Sequence, residues 1–99
     1  VNSSERQPVV VADIAHRRPD RLTMYGAPWC RDCRRSKAML DIRRVDFDYV
    51  DLECHPGRAG EAEDISGRKS IPVIVFPDGS HLVEPSNAEL AAHLDHRGL

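Results

Sequence analysis

The stretch GAPWCRDCRR, residues 26–35, constrains the fold more than any other part of the chain. It follows RLTMY, which reads as a short strand that stops at Gly26-Ala27-Pro28, and it opens a helical pattern running from about Cys30 to Arg43. On that helix Cys33, Ser36 and Leu40 share one stripe, and Met39 and Ile42 are expected to widen it. A C-x-x-C pair is thus placed where a strand ends and a helix begins. It can hold a metal, brace the fold, or carry redox chemistry.

The remaining segments follow in a definite order. VDFDYVDL sets Val45, Phe47 and Tyr49 against Asp46, Asp48 and Val50, which reads as a strand with one face more apolar. Strand, helix, strand is a crossover unit with parallel strands. Pro56 suits a first helical turn and opens a short, glycine-weakened helix to about Ile65, after which SGRKS is loop. PVIVF is a buried strand, PDGS a tight turn and HLVE the returning strand of a hairpin. SNAELAAHL is a last helix, with Ser86 and Glu89 at capping-box spacing and Leu90 and Leu94 on one face. The pattern gives an α/β domain: a four-stranded mixed sheet flanked by three helices.

The domain spans residues 21–97, preceded by a short extension over 1–20 whose polar start, VNSSERQ, is expected to be loose. Periodicity does not decide between strand and helix for residues 8–18, with helix favoured. Ninety-nine residues suit one core, and 40% hydrophobic with 5% aromatic residues make that core mainly aliphatic. A net charge of −2 gives no global basic field, which argues against nucleic acid as a partner. No apolar run is long enough for a membrane span and the start lacks a signal-peptide layout, so the expected setting is soluble and cytoplasmic.

At a helix start, unpaired backbone N–H groups and the helix dipole favour an anion, so the expected thiolate is Cys30. Arg31, Arg34 and Arg35 add positive charge there and Asp32 opposes them. Cysteines in such settings can fall from a pKa near 8.5 to about 3.5–7.5. Cys33, a turn later on the apolar stripe, should be buried, less ionised and placed to attack a mixed disulfide on Cys30. A zinc site would have to draw on Cys54 and His55, an awkward adjacent pair for a tetrahedral ion, and the histidines show no ligand spacing. A structural Cys30–Cys33 disulfide would close too small a loop to stabilise much. Redox chemistry is the favoured reading, with no metal site, and Cys54 reads as an incidental thiol.

LTMYGAPWCRDCRRSKAML, then VDFDYVDLE, then KSIPVIVFPDGSHLVEPSNAEL resembles the glutaredoxin-like members of the thioredoxin superfamily, nearest in pattern to the actinobacterial mycoredoxins. The resemblance implies a thioredoxin-like fold and thiol–disulfide oxidoreductase activity with Cys30 and Cys33 as catalytic residues. It also implies a cis peptide before Pro72, which would sit beside Cys30 with Ile71 offering its backbone to an extended substrate. The candidate substrate contacts are Tyr25, Trp29, Arg31, Lys69, Ile71, Pro72, Ser86 and Asn87. The sequence departs from glutathione-using relatives at Ala27, where they often carry lysine, and at Glu84-Pro85, where they carry Gly-Gly. Mycothiol is therefore the expected small-thiol co-substrate ahead of glutathione, with no bound cofactor. Expected partners are disulfide-containing or thiolated proteins and a reductase or small-thiol system as electron donor, acting on a monomer. Two rivals are an iron–sulfur cluster carrier and a non-catalytic thioredoxin-fold binding module.

Overall fold

The computed structural model describes residues 21–99, so the helix expected within residues 8–18 lies outside the described residues. Strand β1 (Leu22–Gly26) leads through Ala27–Cys30 into helix α1 (Arg31–Ile42), which returns to strand β2 (Phe47–Asp51). A 3-10 turn (Pro56–Arg58) runs into helix α2 (Ala59–Ser66), followed by β3 (Val73–Val75), β4 (His81–Val83) and helix α3 (Asn87–His96). The sheet order is β2-β1-β3-β4. β1 pairs parallel with β2, while β1/β3 and β3/β4 are antiparallel. This is the thioredoxin-like architecture that the strand-helix-strand start and the hairpin imply.

Side chains on a strand alternate between faces, and here both faces are covered. Leu22 and Met24 of β1 and Ile74 of β3 join Cys33 and Leu40 of α1 and Leu90 and Leu94 of α3 in one cluster. Tyr25, Val73 and Val75 point the other way and, with Val50 of β2, pack onto Ala62 of α2. Cys33, Ser36 and Leu40 are the buried stripe of α1, as their spacing requires. Ile42 corrects the expectation, because it is 80% exposed. At about 100° per residue it lies roughly 200° from Leu40, on the opposite side of the helix.

The hairpin turns over Phe76–Gly79, where the Gly79 amide donates to the Phe76 carbonyl at 2.9 Å and Gly79 takes φ 91°, open to glycine at no steric cost. Ser86 and Glu89 form the capping box of α3, with Ser86 Oγ accepting the Glu89 amide at 3.1 Å and Glu89 Oε1 accepting the Ser86 amide at 2.8 Å. The crossover puts the end of β1, the start of α1 and the loop before β3 together at one end of the sheet.

Candidate active site

Cys30 is the N-cap of α1, in extended conformation, with its amide on the Ala27 carbonyl at 3.1 Å. Its Sγ accepts the backbone amide of Cys33 at 3.2 Å. That bond fills with sulfur the place an N-cap serine or aspartate oxygen usually takes, and it directs a helix-terminal N–H at the atom that must carry negative charge. The half-buried Cys30 also has the Ile71 carbonyl oxygen 4.0 Å from its Sγ. The Ile71–Pro72 peptide is cis. Among the described residues the amide and carbonyl of Ile71 enter no backbone hydrogen bond, although the neighbouring Pro72 carbonyl accepts from Glu84.

Cys33 is 1% exposed. Burial, followed by its contact with Cys30, pushes its thiol up to about 12, so it is a protonated thiol at neutral pH. It lies against Gly26, where a Cβ would stand 3.1 Å from Cys33 Cβ and Sγ and 3.3 Å from the Tyr49 ring. The sequence reading took Gly26 only as a strand stop. A glycine inside a strand marks close approach of another group, and that signal was available. All three cysteines are free thiols; Cys54 is exposed, and the Asp51 carboxylate, which accepts from its Sγ at 3.5 Å, raises its pKa. No cluster of metal-ligating side chains occurs among the described residues.

The other expected contacts divide. Trp29, 69% exposed, stands next to Cys30 on the surface, and Arg31 is exposed on the first turn of α1. Lys69 and Ile71, with Arg68 and Glu63, line a cleft of about 330 Å³ between α2 and the loop leading to Pro72. Pro72 is buried. Asn87 is exposed at the start of α3, while the hydroxyl of Ser86 is used in the cap. Tyr25 is not brought to the thiols by its side chain: it is buried in the α2-side cluster and its hydroxyl donates to Glu61 Oε1 at 2.9 Å. Burial, then that bond, pushes its pKa up to about 12. Arg58 holds the same carboxylate through Nε and Nη2, both at 2.9 Å. The period-2 pattern of β1 carried this outcome, because Tyr25 must face away from Met24.

A buried protonated thiol one turn behind an accessible N-cap thiol is an arrangement that suits dithiol redox chemistry. The glutaredoxin family profile matches residues 22–82, and the chain belongs to that family. A Mycobacterium tuberculosis protein named as a glutaredoxin is 36% identical over 74 residues, covering 74% of this chain and 88% of that protein. Mycoredoxin 1 of Corynebacterium glutamicum is 28% identical over 74 residues, covering 75% and 92%. Among solved structures, the Archaeoglobus fulgidus glutaredoxin superposes with a TM-score of 0.67 at 23% identity over 90% of this chain and 96% of that one. The Brucella melitensis glutaredoxin gives 0.56 at 28% identity over 79% and 80%. The protein is a glutaredoxin-like thiol–disulfide oxidoreductase close to the mycoredoxins.

Proposed function

We propose that Cys30 is the attacking thiolate and Cys33 the resolving thiol of a mycoredoxin-type enzyme that reduces protein disulfides and protein–small-thiol mixed disulfides. The observation that carries this reading is the division of labour between the two sulfurs: Cys30 Sγ accepts the Cys33 amide at 3.2 Å, while Cys33 is buried and held protonated. Cys30 attacks a target sulfur and the leaving half departs as thiolate; Cys33 then displaces the second half and a Cys30–Cys33 disulfide forms. On a protein carrying a small thiol, Cys30 takes that thiol and a second molecule of it restores Cys30. An extended substrate is held by the amide and carbonyl of Ile71, which enter no backbone hydrogen bond among the described residues, with Trp29, Arg31, Lys69 and Asn87 around it.

Mycothiol is the preferred small thiol. Ala27 is 1% exposed and offers no cation at the place where glutathione enzymes often carry lysine, and Pro85 stands where they carry glycine, its carbonyl accepting from Arg35 at 3.5 Å. A charged tripeptide left without such donors loses about 1.5–3 kcal/mol per unmade charged hydrogen bond. The likeness to Mycoredoxin 1 supports the same choice. Electrons come from a small-thiol system or a reductase, and the enzyme works as a cytoplasmic monomer.

Two measurements test this. Alkylation of the reduced protein near neutral pH should modify Cys30 before Cys33 and Cys54, and a different order would overturn the assignment. A protein substrate carrying mycothiol should be reduced at least about tenfold faster than its glutathione-carrying equivalent, which corresponds to 1.4 kcal/mol on the barrier. Equal rates would leave a general dithiol reductase.

A further inference from the structure

The pairing of cations over the described surface is uneven. Arg21, Arg35, Lys37, Arg43, Arg58 and Arg97 each hold a carboxylate of this chain. Arg31, Arg34, Arg44, Arg68 and Lys69 form no ion pair among the described residues. Arg44 lies just beyond the C-terminal end of α1, about 18 Å of helix away from Cys30. The other four lie on the two segments that meet at Cys30, the start of α1 and the loop leading to Ile71 and Pro72. Arg31 and Arg34 occupy the first turn of α1, and Arg34 Nη1 is anchored on the Pro28 carbonyl at 2.7 Å, beside the exposed Trp29. Arg68 and Lys69 line the cleft that ends at Ile71, whose carbonyl faces Cys30 Sγ at 4.0 Å. Glu63, the acid of that cleft, forms no ion pair with them.

We propose that these cations form a docking rim for acidic protein segments flanking the target disulfide, so that the enzyme selects its protein partners by charge. The proposal rests on Cys30 being the nucleophile, and it goes beyond the small-thiol assignment. A sugar-linked thiol brings hydroxyls rather than a set of negative charges, so it leaves this rim uncompensated. An acidic polypeptide crossing Cys30 meets Arg31 and Arg34 on one side and Arg68 and Lys69 on the other. Like-signed charges lining a site raise the local concentration and encounter rate of an oppositely charged partner and repel a basic one.

The test follows the first chemical step alone. In the Cys33→Ser variant the Cys30 thiolate attacks a peptide disulfide, the peptide S–S bond breaks, one half leaves as thiolate and the other stays on Cys30. Three disulfide-linked peptides are compared, with Asp and Glu, Ser and Gly, or Lys and Arg beside each cysteine. At low salt the acidic peptide should form its adduct at least about tenfold faster than the basic one. The ratio should fall toward one as the screening length shrinks from about 10 Å at 0.1 M to about 3 Å at 1 M. Adding Arg34→Glu and Arg68→Glu should reverse the preference, whereas Arg44→Glu should leave it in place. Equal adduct rates at low salt would overturn the rim and leave the nucleophile standing. No adduct with any of the three would sink the nucleophile assignment and the rim with it. Should the double charge reversal fail to fold, the salt dependence in the Cys33→Ser background decides the matter.

Discussion

At Gly26 one missing Cβ decides how closely β1 can approach Cys33, the proposed resolving thiol. An added methyl would meet Cys33 Cβ and Sγ at 3.1 Å and the Tyr49 ring at 3.3 Å, and neither neighbour is the free end of a flexible chain. Overpacking of this kind costs typically 1–3 kcal/mol. Gly26→Ala should therefore lower the urea midpoint by the equivalent of about 1–3 kcal/mol and slow the release of a mixed disulfide from Cys30, because it displaces Cys33 and not the attacker. An unchanged midpoint would show that the packing gives way more easily than these contacts imply. Ser36, a turn further along α1, carries the opposite kind of cost. It is fully buried and its Oγ has no hydrogen-bond partner among the described residues. A buried unsatisfied hydroxyl costs about 1–3 kcal/mol, and alanine is also the better helix former. Ser36→Ala should raise stability by about 1 kcal/mol in the same titration, and a loss would mean that the hydroxyl has a partner under native conditions. The sequence put Ser36 on the buried stripe of its helix and Gly26 at the stop of its strand, whereas Gly26 is the strand's last residue. The sequence did not show what each touches across the core, since that depends on packing between elements.

At the level of elements, helix ends separate what could be read from what could not. The start of α3 was legible because Ser86 and Glu89 interact at a fixed local spacing, and the capping box they form depends on nothing distant. The end of α1 was placed within a residue by hydrophobic pattern alone, with no stop residue to mark it. The Val45 amide reaches the Leu40 carbonyl and the Arg44 amide reaches the Asp41 carbonyl, both at 3.0 Å, which is the Schellman arrangement. Its left-handed position is held by Arg44 at φ 59°, where glycine would be the usual signal. A left-handed residue with a Cβ costs about 1–2 kcal/mol. Arg44→Gly should therefore raise the thermal midpoint by the equivalent of about 1 kcal/mol, and a fall would mean that the arginine side chain contributes more than its backbone costs. The last helix is tied down by partners that no local pattern discloses. Arg97 Nε donates to Asp78 Oδ2 at 3.1 Å and its guanidinium lies 4.0 Å from the Phe76 ring centroid, while Arg43 donates to Asp95 and, at 2.9 Å, to the Leu99 carbonyl.

Over the whole molecule the two-faced sheet sets the response to pH. Segment order and strand periodicity made the topology legible, and they made Cys33 a buried residue of the site. They left Tyr25 beside the substrate, because a bond to Glu61 joins residues far apart in sequence and is visible only once α2 is docked on the sheet. Both groups now matter for stability. Each is a neutral acid buried under a layer of helices, and burial raises each from its ordinary value, 9.0 for the thiol and 10.0 for the phenol, to about 12. The folded chain keeps these protons where the unfolded chain releases them. Between about pH 9 and 12 the unfolded state therefore binds fewer protons, and linkage makes stability fall as pH rises. Below pH 9 their full contribution is present. The urea midpoint should hold from about pH 7 to 8.5 and decline steadily above 9. Cys33→Ala should begin its decline nearer pH 10, since the thiol with the lower ordinary value is gone, and Tyr25→Phe should show a shallower decline above 10. Urea titrations of the three proteins at half-unit pH intervals check this, and parallel curves would locate the alkaline transition in other groups.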